Sequence, residues 1–108
     1  MSEEEIITRL FQTIQSRRQA EACDSYVASL FAKGTGKIAQ KVGEEAVEAV
    51  IEAMRGEREA LKNESADLLF HLLVLWADQG IAPKDVFAIL EARMGTSGHT
   101  EKNSRTTS

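Results

Sequence analysis

Apolar positions recur along this chain at intervals of three and four residues, the repeat of helices buried on one side. Ile6, Ile7, Leu10, Phe11 and Ile14 predict a first helix over about residues 3 to 16, with a polar far face. Ser25 stands where an N-cap belongs, ahead of Tyr26, Val27, Leu30 and Phe31, and Gly34 stands where that short helix should stop. Loop residues are expected up to Ile38. A third helix is predicted from Ile38 to Arg55, closed by Gly56, and a fourth from about Glu57 to Asp78, closed by Gly80. Pro83 suits the first turn of a last helix through Val86, Phe87, Ile89 and Leu90, where its missing N–H has no partner to lose. Beyond Met94 the sequence becomes GTSGHTEKNSRTTS, which has no apolar anchor. Residues 1–94 are therefore read as one domain and residues 95–108 as a disordered tail.

Composition agrees with an all-α fold, since Ala, Leu, Glu and Lys abound and these side chains lose little rotamer freedom in a helix. A length of 108 residues with 43% hydrophobic content supports one core and is too short for two. The fourth predicted helix is apolar almost all round, through Leu68, Leu69, Phe70, Leu72, Leu73, Val74, Leu75 and Trp76. One short chain cannot readily cover it, so the expected architecture is an antiparallel helical bundle completed by a homodimer. A net charge of −4 and a pI near 5.2 argue against long nucleic acid as a partner, which recruits proteins through concentrated Lys and Arg. Cys23 stands alone and closes no internal disulfide. The opening MSEEE has no export pattern and no run approaches the roughly 18–20 apolar residues that span a bilayer, so no membrane partner is expected and the cytoplasm is the expected compartment.

The chemistry is concentrated in EEAVE and ESAD. In the third helix Ile38, Val42, Ala46, Ala49 and Ala53 form one narrow stripe, bordered by Lys41, Glu45, Glu48 and Glu52. In the fourth, Glu64, Asp67, His71 and Asp78 share a line beside Leu68, Leu72, Leu75 and Trp76. Folding the two helices back about Gly56 places Glu48 opposite Glu64 and Glu45 opposite Asp67. Two unit charges about 4 Å apart repel by about 4 kcal/mol at an effective dielectric near 20, so ionised carboxylates in this arrangement require protons or cations. A donor set of oxygens alone selects hard ions, Mg²⁺ first, with Mn²⁺ as a substitute. The competing reading is a solvated face, since glutamate is the common filler of exposed helix surface. Glu44, further round the helix, is either a supplementary ligand or an exposed partner of Lys37 or Lys41.

Other features divide in the same way. GTGK at 34–37 matches the end of a P-loop, but Phe31 occupies the place of the first glycine and Ile38 that of the Ser or Thr, so the motif is rejected. Lys33, Lys37 and Lys41 precede the acidic patch by one or two turns, and either meet substrate phosphates or pair with the neighbouring glutamates. His71 is either a structural histidine or a substrate-binding group. Tyr26 either stacks on a base or caps the core.

SYVASLFAKGTGKIAQKVGEEAVEAVIEA at 25–53, followed by ESADLLFHLLVL at 64–75, resembles the phosphoribosyl-ATP pyrophosphatase family. ExxE followed by ExxD, here Glu45, Glu48, Glu64 and Asp67, is shared by the wider superfamily of all-α nucleotide pyrophosphatases. SYVASLFAKG and KVGEEAVE are specific to the histidine-pathway family. Cys23 stands where proline or another small residue is expected, and Gly36 where a polar residue is usual, which bears on loop conformation and not on the acids. The resemblance implies Mg²⁺-dependent hydrolysis of phosphoribosyl-ATP to phosphoribosyl-AMP and pyrophosphate, by a homodimer whose helices form the active-site clefts. Glu44, Glu45, Glu48, Glu64 and Asp67 are then the candidate metal ligands, with Glu45 or Glu48 orienting the water. Tyr26, Lys33, Lys37, Lys41 and His71 are the substrate-binding candidates. Two rivals are a house-cleaning nucleoside triphosphate pyrophosphatase and a non-catalytic helical interaction module.

Overall fold

The computed structural model describes residues 1–94 and places five helices along them: α1 (Glu3–Arg17), α2 (Tyr26–Lys33), α3 (Thr35–Arg55), α4 (Arg58–Asp78) and α5 (Pro83–Arg93). No strand occurs among the described residues, and none of their helices is long and apolar enough to cross a membrane. The tail expected over 95–108 lies outside the described residues.

Local signals set most of the helix ends. Ser2 accepts from the Glu5 N–H at 3.2 Å while its hydroxyl donates to the Glu5 carboxylate, so α1 starts on a reciprocal cap with three acids in its first turn. The Ser25 hydroxyl oxygen accepts from the Ala28 N–H at 3.2 Å and starts α2 in the same manner. α3 ends at Gly56, whose φ of 74° lets its N–H reach the Ala53 carbonyl and the next N–H, of Glu57, reach Glu52 at 3.0 Å. Gly80 closes α4 by the same paired bonds, to Ala77 and from Ile81 to Trp76.

One boundary differs from the sequence expectation: α3 begins at Thr35, three residues ahead of Ile38. Gly34 adopts a φ of 95°, which stops α2 and redirects the chain within a single residue. The Gly34 carbonyl accepts from the Ile38 N–H, and the Thr35 hydroxyl donates to the Asp78 carboxylate at 2.6 Å. The expected loop is therefore a helical first turn tied to the far end of α4.

α3 and α4 form a long antiparallel hairpin, and α1 and α2 pack against opposite members of it. The core occupies the end of the hairpin away from Gly56, where Ile14, Val27, Leu30 and Ile38 meet Leu73, Val74 and Ala77. Burying one such Ile, Leu or Val completely stabilises the fold by about 1.5–3 kcal/mol. Arg18 adds a polar tie, donating to the Ala77 carbonyl at 2.8 Å with its guanidinium 4.6 Å over the Phe31 ring. Toward Gly56 the packed face of α3 rolls from Ala53, which is exposed, to Glu52, whose side chain is only 15% exposed.

Leu30→Ala should cost about 2–5 kcal/mol in a denaturant melt, because Leu30 is fully enclosed. Ser25→Ala, which removes one cap, should cost about 1 kcal/mol. Equal losses would contradict the placement of the core.

Candidate metal and phosphate site

Midway along the hairpin, α3 and α4 bring carboxylates together across their interface. One oxygen each from Glu45, Glu64 and Asp67 lies within 4.8 Å of the others, among the described residues a group able to hold a metal ion. Glu45 is the most enclosed, its side chain 13% exposed, whereas Glu64 is half-buried and Asp67 open to solvent. The Glu64 carboxyl is held above its ordinary range, first by a hydrogen bond shared with Glu45, then by partial burial and the charges of Glu45, Asp67 and Glu48. Sharing a proton is one way for neighbouring carboxylates to relieve repulsion, and a cation is the other.

The register therefore brings three of the expected acids into one group, with Glu45 reaching both Glu64 and Asp67. Glu48 lies one turn further along α3, exposed and outside this group, yet near enough for its charge to act on Glu64. Glu44 is also outside it. Its carboxylate accepts from the Gln40 amide at 3.0 Å and pairs with Lys41 at 3.6 Å, contacts that lower its pKa, the Gln40 bond most of all.

Lys41 borders the acids, its ammonium 3.8 Å from Glu45. Its pKa is raised, first by electrostatic interaction with Tyr26 and then by Glu44 and Glu45, against a partial desolvation. Lys37 lies one turn earlier on the same line of α3 and is half-buried, while Lys33 is exposed at the end of α2. Lys37 and Lys41 thus lead along α3 toward the acids, with only Lys41 in direct contact with them, while Lys33 belongs to the preceding helix.

His71 is 6% exposed, one turn beyond Asp67 on α4. Its Nδ1 lies 2.8 Å from the Asp67 carbonyl and its Nε2 lies 2.8 Å from the Tyr26 hydroxyl. Both ring nitrogens are thus occupied within the protein, and the half-exposed Tyr26 is the member of the pair that solvent or substrate can reach. Asp78 shares the helix line of these residues but belongs to the opposite end of the hairpin. There its bonds from Thr35 first and Gln79 second, with the Arg18 charge, lower its pKa.

Three features escaped the sequence reading. Val47, Val50, Ile51 and Met54 form a second apolar stripe on α3, between 43% and 84% exposed, at spacings of three and four that the sequence displays openly. On α4, Leu69 is 48% exposed and borders an open groove of about 640 Å³ lined also by Arg58, Leu61, Lys62, Ser65 and Ala66. The contact of Arg18 with the end of α4 left no signal, because it joins residues far apart in sequence.

Known proteins resemble this chain over most of its length. The profile of the family described as phosphoribosyl-ATP pyrophosphohydrolase matches residues 7–94, which takes in every residue of the acid group. The phosphoribosyl-ATP pyrophosphatase of Azospirillum brasilense is 58% identical over 100 residues, covering 93% of this chain and 90% of that protein. Its namesake from Rhizorhabdus wittichii is 57% identical over 99 residues, covering 92% and 93%, and that of Gluconobacter oxydans is 50% identical over 105 residues, covering 97% and 79%. With the match running through nearly all the described residues, the chain belongs to the phosphoribosyl-ATP pyrophosphohydrolase family.

Proposed function

We propose that this protein hydrolyses phosphoribosyl-ATP to phosphoribosyl-AMP and pyrophosphate in histidine biosynthesis, with Mg²⁺ held by Glu45, Glu64 and Asp67. The observation that carries the metal assignment is the convergence of those carboxylates within 4.8 Å, beside a lysine, in a chain of this family. The donor set is oxygen alone, which fits Mg²⁺, with Mn²⁺ as a substitute. When bound, the ion supplies positive charge to the triphosphate and lowers the pKa of a neighbouring water. Glu48, outside the three-acid group, is left to orient the attacking water and accept its proton. Lys41, Lys37 and Lys33 meet phosphate oxygens and offset charge on the departing pyrophosphate. Glu44 enters the proposal as the partner that steadies Lys41. A substrate rich in phosphate suits this line of lysines ending at acids, and the net charge of −4 does not favour long nucleic acid. On this reading the substrate is a small metabolite and the compartment the cytoplasm.

The exposed stripe Val47, Val50, Ile51 and Met54 on α3, with Leu69 exposed on α4, supports a homodimer in which a second copy covers the hairpin arm. It is α3, more than the strongly apolar α4, that presents this surface.

Alanine in place of Glu48 or Asp67 should lower pyrophosphate release by about a hundredfold or more while the far-ultraviolet spectrum stays helical. A folded variant with full turnover, or a wild-type chain no better on phosphoribosyl-ATP than on ordinary nucleoside triphosphates, would refute the assignment. In chelator-treated protein, Glu64→Gln should raise Tm at neutral pH, because it removes a charge whose ionisation the folded state resists. The sign follows from the raised pKa: the advantage is full above the folded-state value, shrinks as pH falls through it, and is gone below the ordinary carboxyl value. Saturating Mg²⁺ should raise the wild-type Tm and close this gap. Sedimentation at micromolar concentration should give twice the chain mass, and Val50→Asp should shift it toward the monomer. A wild-type monomer at that concentration removes the dimer.

A further inference from the structure

The start of α3 is locally weak. Its N-cap, Gly34, has no side chain with which to accept from the first N–H groups, and no side-chain cap bond is made there. Gly36, within the first turn, is a poor helix former. A helix end of this kind frays unless other contacts hold it. Two contacts do. Ile38 is wholly buried, which pins the far side of the turn to the core, and its N–H donates to the Gly34 carbonyl at 3.2 Å. At the near side the Thr35 hydroxyl donates at 2.6 Å to the carboxylate of Asp78, the last residue of α4, in a charge-assisted bond. The Gln79 amide donates to the same carboxylate oxygen at 2.8 Å and so fixes the acceptor. Lys37 stands between these two fastenings, half-buried, one turn before Lys41 on the line that leads to the acids.

We infer that Thr35 and Asp78 are positioning residues, whose bond keeps the first turn of α3 helical and thereby fixes where Lys37 is presented to phosphate. Without the bond, Gly36 lets residues 35–37 unwind while Ile38 stays anchored, and the Lys37 ammonium leaves its place on the α3 line. Neither Thr35 nor Asp78 needs to touch the substrate, because both act through the backbone that carries Lys37. The role of Lys37 toward phosphate rests on the proposed function, whereas the state of the turn does not.

Thr35→Val removes the hydroxyl alone, since Thr35 is exposed and threonine and valine differ little in helix preference. Gly36→Ala strengthens the turn alone, since a Cβ built at Gly36 meets nothing within 4 Å and alanine favours helix. Using the full chain, kcat/KM for pyrophosphate release from phosphoribosyl-ATP and hydrogen exchange of the Ile38 amide are measured for Thr35→Val, Thr35→Ser, Gly36→Ala and the Thr35→Val/Gly36→Ala pair, and Thr35→Val is repeated in a Lys37→Ala background. Thr35→Val should lower kcat/KM about tenfold and speed Ile38 exchange by about the same factor, whereas Thr35→Ser, which keeps the hydroxyl, should stay within about threefold of wild type. Gly36→Ala should change little by itself and should restore most of both losses in Thr35→Val. Once Lys37 is alanine, Thr35→Val should cost no further activity, the mark of an effect carried by that lysine. Wild-type kcat/KM in Thr35→Val overturns the inference. So does a loss that Gly36→Ala fails to repair or that adds in full to that of Lys37→Ala, because the hydroxyl would then meet substrate itself. If wild type releases no pyrophosphate, the proposed function fails, and amide exchange decides the state of the turn. Faster Ile38 exchange in Thr35→Val, recovered with Gly36→Ala, upholds the tie, and unchanged exchange overturns it.

Discussion

Mutual repulsion of Glu45, Glu64 and Asp67 across the α3/α4 interface is the constraint that gives the rest of this structure its meaning. Like charges at such separations oppose the very packing that brings them together, so the hairpin must be held by something else. That support lies at the opposite end, where α1 and α2 close around Leu73, Val74 and Ala77 and where Arg18 and Thr35 tie the ends of the helices together. The paired backbone bonds at Gly56 hold the turn at the near end. The acids sit between two anchored ends, which is how a stable fold can carry an unfavourable charge group for a counterion to neutralise.

Much of this arrangement was legible in the sequence. Ser25, Gly34, Gly56, Gly80 and Pro83 marked helix ends through backbone chemistry that acts within a few residues, and each lies at a helix end in the structure. The meeting of EEAVE with ESAD was also readable, because a short turn between long helices leaves only one antiparallel register. What the register could not provide was side-chain reach: the expected facing pairs were Glu48 with Glu64 and Glu45 with Asp67, whereas Glu45 has an oxygen within 4.8 Å of both acids of α4. Thr35 to Lys37 read as loop because Gly36 is a poor helix former, and a bond from Thr35 to Asp78 outweighs that weak preference. His71 could be placed near the acids by helical spacing, but its link to Tyr26 joins separate helices and has no local signature.

The molecule is also divided along its length. One end of the hairpin is wrapped by its own chain, and the other extends an apolar stripe of Val47, Val50, Ile51 and Met54 into solvent. The acids lie at the junction. Tyr26, from the first turn of α2, bonds His71 one turn beyond Asp67, and Lys41, from α3, pairs with Glu45, so the wrapped end also contributes side chains beside the acids. This places the residues proposed to meet phosphate and those proposed to hold the metal on elements whose relative positions the core fixes.

The central claim, that these three carboxylates form one cation site, is tested most directly by titrating Mn²⁺ into isotope-labelled protein and following paramagnetic broadening. The account predicts saturable broadening centred on the amides of Glu45, Glu64 and Asp67 that excess Mg²⁺ reverses. Broadening spread evenly over exposed acids such as Glu3, Glu4 and Glu59, with no focus on the α3/α4 interface, would contradict it.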